Sequence, residues 1–178
     1  MRASMPCWPP FRSPRGCAAA EIQCKVMTVV LSELRSAARA MGRGDSLEEF
    51  GATLLLVCAD QGNGRYIALH LGDGLIGAVS PQGLILVSPP MNGVSPQQTV
   101  LTSSPNCAKL LRLYRGQKKD TVFFLMTDGC APYFWDGCEY LRESRPLLER
   151  MDWNAVGRRI RKKEPADDWA MLACMPEL

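Results

Sequence analysis

The chain has little of what several common functions need. Its 178 residues include one histidine, His70. The eight cysteines are Cys7, Cys17, Cys24, Cys58, Cys107, Cys130, Cys138 and Cys174, and none stands at C-x-x-C spacing from another. A zinc site built from thiols and imidazoles is therefore not expected. No apolar run reaches the roughly 18 residues of a membrane span, and the N-terminus lacks the continuous apolar core of a secretory signal. The net charge of +3 is too small to imply nucleic acid as a partner. The expectation is a cytoplasmic protein with reduced thiols, no membrane association and no nucleic acid. An even cysteine count would also permit disulfides. Cys58 and Cys174 lie inside apolar runs and are expected to behave as small core residues.

Residues 1–20 lack acid altogether, and they hold four prolines and three arginines without periodicity. A disordered or unrelated tail is expected there, and such a composition also suits a transit peptide. The chain as a whole has an ordinary globular balance, 47% hydrophobic and 22% charged, and 21–178 is long enough for one domain. From Glu21 to Met41 apolar residues recur at helical spacing (Ile22, Val26, Val29, Val30, Leu34), and Gly42 and Gly44 end the pattern.

A β-rich block comes next. "GATLLLVCA" (51–59) reads as a buried strand, "DQGNG" as a turn and "RYIALHLGD" (65–73) as the returning strand. "GLIGAVS" and "LILVS" flank the turn "PQG" and predict a second hairpin. Residues 89–107 are rich in Pro, Ser, Asn and Gln and predict a long surface loop, and 108–116 fits either helix or strand. "TVFFLMT" (121–127) is a further strand. "CEYLRESRPLLERM", interrupted by Pro146, and "DWNAVGRRIRKK" are amphipathic, and a short strand follows "ADD". Hairpins dominate and the helices are grouped, so an antiparallel α+β protein is expected rather than a doubly wound parallel sheet.

Three acidic signals mark strand ends: Asp73 in "LGDG", Asp128 in "MTDG", and the pair Asp167–Asp168 in "ADDW". Asp-Gly is also a common turn pair, and a double acid can simply precede a strand. Antiparallel neighbours bring one strand's end beside the next one's start, so Asp128 and Asp167 are expected to converge. Such hard oxygen donors suit Mg²⁺ or Mn²⁺. His70, between Leu69 and Leu71, reads as structural. Trp135, Trp153 and Trp169 read as core or helix-packing residues. "GRRIRKK" (157–163) holds five basic residues and reads as a solvated face or a basic adaptor surface.

The order "GATLLLVCADQGNGRYIALHLGDG", "TVFFLMTDG", "ADDWAMLAC" resembles the C-terminal part of the metal-dependent serine/threonine protein phosphatases of type 2C. "QQTVLTSSP" (97–105) is similar to the threonine-serine segment that bacterial members carry. The resemblance implies an antiparallel β-sandwich flanked by helices. It implies a pair of Mg²⁺ or Mn²⁺ ions at one edge, activating water against a phosphoserine or phosphothreonine of a phosphoprotein substrate. By motif match Asp128 and Asp167 would be metal ligands, with Asp168 in the family's Asn position and Asp73 supporting a strand turn. The family's opening R-x-x-N-E-D and D-G-x-G motifs have no counterpart in residues 1–50. An incomplete, N-terminally truncated or degenerate domain is therefore expected, weakly active or inactive alone, with self-association through exposed sheet edges. A non-catalytic pseudophosphatase module is the alternative.

Overall fold

The computed structural model describes residues 18–60, 62–91, 99–163 and 167–174. The expected tail falls almost wholly outside them. The first helix, α1 (Ala19–Ala40), buries Met27 and Ala38. It ends where Gly42 and Gly44 take left-handed backbone conformations that a side chain would strain. A 3₁₀ turn at Glu48–Phe50 leads into the first hairpin, β1 (Leu54–Asp60) and β2 (Arg65–Leu71), paired antiparallel from Leu54↔Leu71 to Asp60↔Arg65. The second hairpin is β3 (Leu75–Ser80) and β4 (Gly83–Ser88). The segment with ambiguous character contains both alternatives: helix α2 (Cys107–Leu110) and strand β5 (Arg112–Gln117). Then come β6 (Val122–Met126), a 3₁₀ turn at Ala131–Tyr133, α3 (Arg145–Glu149), α4 (Trp153–Lys162) and β7 (Met171–Cys174).

The strands form two antiparallel sheets, ordered β1-β2-β5 and β4-β3-β6-β7. Alternation along each strand gives each sheet two apolar faces. Tyr66, Ala68, Ile76, Ala78, Val87 and Phe123 fill the space between the sheets, where the Tyr66 and Phe123 rings lie 4.8 Å apart. On the outer face of the first sheet, Leu69 and Leu71 pack with Met27 of α1 and Cys107 of α2. On the outer face of the second, Phe124 and Met126 pack with Leu148, Val156 and Ile160 of α3 and α4. Each large apolar side chain buried this way contributes about 1.5–3 kcal/mol. The result is helix, sheet, sheet, helix in section. No helix among the described residues is long and apolar enough to cross a membrane.

Four expectations change in detail. The strand read as buried, β1, is half-buried at its start and exposed from Cys58 on, because it is an edge strand. For the same reason Cys58 and Cys174 are exposed; the buried thiols are Cys107 and Cys130. The cysteines among the described residues are all free. Pro146 stands in the first turn of α3 and so starts that helix rather than interrupting one. The described part of the long loop is anchored: buried Thr102 accepts from the Ala52 N–H at 3.1 Å, and its own N–H donates to the Ala52 carbonyl at 2.9 Å.

The sandwich is open along one side. Leu55 of β1 reaches Gly74 and the end of β6, while His70 of β2 and Arg112 of β5 contact Ser88 and Pro89 at the end of β4. So β1 lies over β6, and β7 has no strand above it among the described residues. Leu172 pairs with Leu125, which faces the inter-sheet core. Cross-strand partners share a face, yet Leu172 is 65% exposed.

Candidate metal centre

The acidic strand ends gather at one end of the sandwich. β6 runs apolar through its sheet and stops at Met126, which pairs with Leu75 at the start of β3 and Met171 at the start of β7. Asp73 lies two residues before Leu75, Asp128 two residues after Met126, and Asp167–Asp168 just ahead of β7. The antiparallel registers alone therefore place all four acids at the same edge.

Hydrogen bonds then fasten two of these turns together. The Thr127 N–H donates to the Ala170 carbonyl at 3.1 Å, and the Ala170 N–H donates to Thr127 Oγ1 at 2.9 Å. Beyond Thr127 the chain turns through N–H donations from Cys130 and Ala131 to the Thr127 carbonyl, leaving Asp128 exposed on the turn. Gly129 lies flush against the Asp167–Asp168 backbone: a Cβ at Gly129 would sit 3.0 Å from the Asp168 carbonyl carbon and 3.4 Å from that of Asp167. Its glycine is needed for close approach. Asp167 accepts from the Asp168 N–H at 2.8 Å, which orders the acidic pair, and both side chains are exposed.

Asp73 is held differently. It is half-buried and accepts a hydrogen bond from Thr99 Oγ1, so its carboxylate ties the crossover between the sheets to the described end of the threonine-serine loop. The carboxylates are the right kind of donor for Mg²⁺ or Mn²⁺. The backbone contacts bring the turns together, but Asp128, Asp167 and Asp168 do not converge as a metal-holding group: no group of three or more His, Cys, Asp or Glu side chains able to hold a metal occurs among the described residues. A two-ion centre does not fit the described donors.

His70 is excluded from such a site by its surroundings. Its ring is fully buried, Nδ1 lies 2.7 Å from Ser88 Oγ, and Arg112 donates to the same nitrogen at 2.8 Å. An arginine can only donate, so Nδ1 accepts and the neutral ring carries its proton on Nε2. Burial first, and the neighbouring Arg112 charge second, push the imidazole down to about 3. Sequence reasoning assigned His70 a structural role but did not find Arg112 or Ser88 as its partners. Nor did it find the packing role of Gly129 or the Thr99 tether. The Thr and Gly flanking Asp128 were the available signal for the first of these contacts.

Two antiparallel sheets thus lie between helical layers, with acidic turns gathered at one edge. The family model for protein phosphatase 2C matches residues 13–167. The chain belongs to the protein phosphatase 2C family. Solved structures with the same fold include the catalytic domain of the serine/threonine protein phosphatase PstP in complex with two manganese ions. It has 14% identity and a TM-score of 0.63, with 90% of this chain and 72% of that one covered. A bacterial serine phosphatase bearing an R161A mutation is similar at 12% identity and a TM-score of 0.59, over 88% of this chain and 66% of that one. PppA, a regulatory component of T6SS in Pseudomonas aeruginosa, is similar at 17% identity and a TM-score of 0.57, over 89% and 73%. The chain thus spans about two thirds to three quarters of the structures it matches. No curated protein sequence matches it.

Proposed function

We propose that these residues form a phosphoserine/phosphothreonine phosphatase domain with an incomplete metal centre, weakly active or inactive by itself. The observation that supports the reading is the pinning of the Thr127–Gly129 turn against the backbone of Asp167–Ala170, so that the turn carrying Asp128 packs on the segment carrying the acidic pair. Asp128 and Asp167, with Asp168, would hold one Mg²⁺ or Mn²⁺ rather than a pair. The substrate class is a phosphoprotein, by family membership. The alternative of a non-catalytic pseudophosphatase module is favoured by one observation: Asp128, Asp167 and Asp168 do not come together as a group able to hold a metal, and no other such group of three or more His, Cys, Asp or Glu side chains occurs among the described residues. Turnover of p-nitrophenyl phosphate and of a phosphothreonine peptide in Mn²⁺ separates the two. Slow, metal-dependent turnover lost in Asp128→Asn supports the weak enzyme, and no turnover with any divalent ion supports the module. Brisk turnover by the unaltered chain overturns the incomplete centre.

The open side of the sandwich supports self-association in the same reading. An edge strand with free backbone groups and an exposed Leu172 invites pairing with another copy. Sedimentation at increasing concentration tests it: a single monomeric species throughout would rule it out.

A further inference from the structure

The basic run 157–163 contains one residue unlike its neighbours. Arg158, Arg161 and Lys162 are exposed on α4. The Arg159 side chain is only 20% exposed. Its Nε donates to the Tyr133 carbonyl at 3.3 Å, and its Nη2 donates to Glu143 at 3.1 Å. An arginine that reads in sequence as part of a solvated face therefore ties α4 to the chain that follows Asp128.

Tyr133 closes the 3₁₀ turn Ala131–Tyr133, and the last carbonyls of a helical turn have no partner within it. A carbonyl oxygen can accept twice. The second donor here is Ser144, which is fully buried just ahead of α3 and donates its hydroxyl to the same oxygen at 2.9 Å. Arg159 thus holds Tyr133 and the Glu143–Ser144 corner together. Two hydrogen-bonded steps lead from there back to the acidic turn. The Tyr133 N–H donates to the Cys130 carbonyl at 3.2 Å, and the Cys130 N–H donates to the Thr127 carbonyl at 3.0 Å. Asp128 stands inside the second of these steps. A shift of Tyr133 therefore reaches the turn that carries Asp128, whose other side is bonded to Ala170.

We propose that Arg159 is a positioning residue for Asp128: by holding the Tyr133 carbonyl and Glu143 together it fixes the Cys130 side of the acidic turn, as Ala170 fixes the Thr127 side. The inference rests on the reading of Asp128 as an ion-holding carboxylate for its functional consequence, while the clamp itself stands on the hydrogen bonds. Arginine suits the role because its planar fork donates to two oxygens in one fixed geometry, which a lysine ammonium does not.

The test is native-state amide hydrogen exchange on the full chain in EDTA, read residue by residue. Arg159→Met keeps an unbranched side chain and removes every donor. It should speed exchange of the Cys130, Ala131 and Tyr133 amides by about tenfold, the weight of a hydrogen bond to a charged group. Exchange in β2 and β3 should change by less than about twofold, because the opening is local. Arg159→Lys should recover part of the protection, and Arg158→Met, on the exposed side of the same helix, should change nothing. Mn²⁺ affinity, read by calorimetry, should fall in Arg159→Met and hold in Arg158→Met. If the unaltered chain binds no Mn²⁺, the single-ion reading fails while exchange still decides the clamp. The clamp is overturned if the three amides exchange alike in Arg159→Met and the unaltered chain, if the strands accelerate as much as the turn, or if Arg159→Lys protects no better than Arg159→Met.

Discussion

Gly129→Ala is a substitution of one methyl group whose consequences should reach both stability and metal affinity. The new Cβ would enter the Asp168 carbonyl group, 3.0 Å from its carbon and closer still to its oxygen. The obstacle is backbone, so it cannot swing aside like the end of a long side chain. Either the 128–131 turn or the 167–170 segment must move by several tenths of an ångström, and the Thr127–Ala170 hydrogen bonds at 2.9 and 3.1 Å stretch with it. Overpacking of this kind costs about 1–3 kcal/mol, which in a chain of this size lowers the melting temperature by about 2–12 °C. The same movement separates Asp128 from Asp167–Asp168. Mn²⁺ affinity, read by calorimetry, should fall by about tenfold, as expected for a loss near 1.4 kcal/mol. Gly157→Ala is the internal control. It meets only Arg161 Nη2 at 3.6 Å, and should stabilise the chain by about 0.5–1 kcal/mol. A Gly129→Ala chain that melts with the unaltered protein and binds Mn²⁺ equally would refute the close packing of the two turns.

His70 makes stability depend on pH. Its folded value of about 3 lies below the ordinary 6.5, so the unfolded chain binds the proton first. The contribution is complete above about pH 6.5 and drains away at up to about 1.4 kcal/mol per pH unit as pH falls toward 3. Urea midpoints between pH 7.5 and 5 should drop, and His70→Gln should flatten the slope in that window. Gly77→Ala should be strongly destabilising, because its Cβ would collide with the Phe124 ring and the Tyr140 hydroxyl; a denaturant midpoint within about 0.5 kcal/mol of the original would contradict this packing. Asp128→Asn should leave the melting temperature within about 1–2 °C, since the side chain is exposed, while abolishing any Mn²⁺-dependent phosphate ester hydrolysis. Leu172→Glu on the exposed face should reduce association measured by light scattering; unchanged association would place the interface elsewhere.

The sequence carried the architecture where periodicity and turn chemistry agreed. The period-2 run of β2 and the turns "DQGNG" and "PQG" placed both hairpins in their observed order. The helical pattern read from Glu21 to Met41 predicted α1 within two residues at either end. It failed where burial depends on neighbours distant in the chain. Cys58 and Cys174 have strongly apolar local surroundings, but a strand at a sheet edge exposes residues that the same run would bury at the centre. Arg112 is a second case. One arginine in "LLRLYRG" gives no sign that it reaches a histidine 42 positions earlier, and burial lowers its own affinity for a proton. At the candidate site the acids were visible as strand-end residues, since Asp128 and Asp167 stand after and before apolar runs. The contact that joins them was not, because a glycine after an aspartate looks the same whether it only turns or also makes room for another backbone.

In the proposed reading, the incomplete metal centre and the open side of the fold belong to one place. Asp128 closes β6 and Asp167–Asp168 opens β7, and β7 is the end strand of its sheet. Opposite it, β1 is the end strand of the other sheet and reaches only as far as β6. The uncovered face of β7, with Leu172 at its centre, therefore borders the edge where the carboxylates stand. The two carboxylate turns are held together there by hydrogen bonds between Thr127 and Ala170, and in that reading the remaining donors for a pair of divalent ions would arrive on a strand laid over β7. A strand that supplied no acid would repair stability and leave activity unchanged; one that supplied acids would restore both together. Covering the edge and completing the metal centre can thus be told apart by adding peptides in trans. An apolar β-strand peptide should raise the melting temperature alone, whereas one carrying correctly spaced aspartates should also raise Mn²⁺ affinity, provided the deficit lies at this edge.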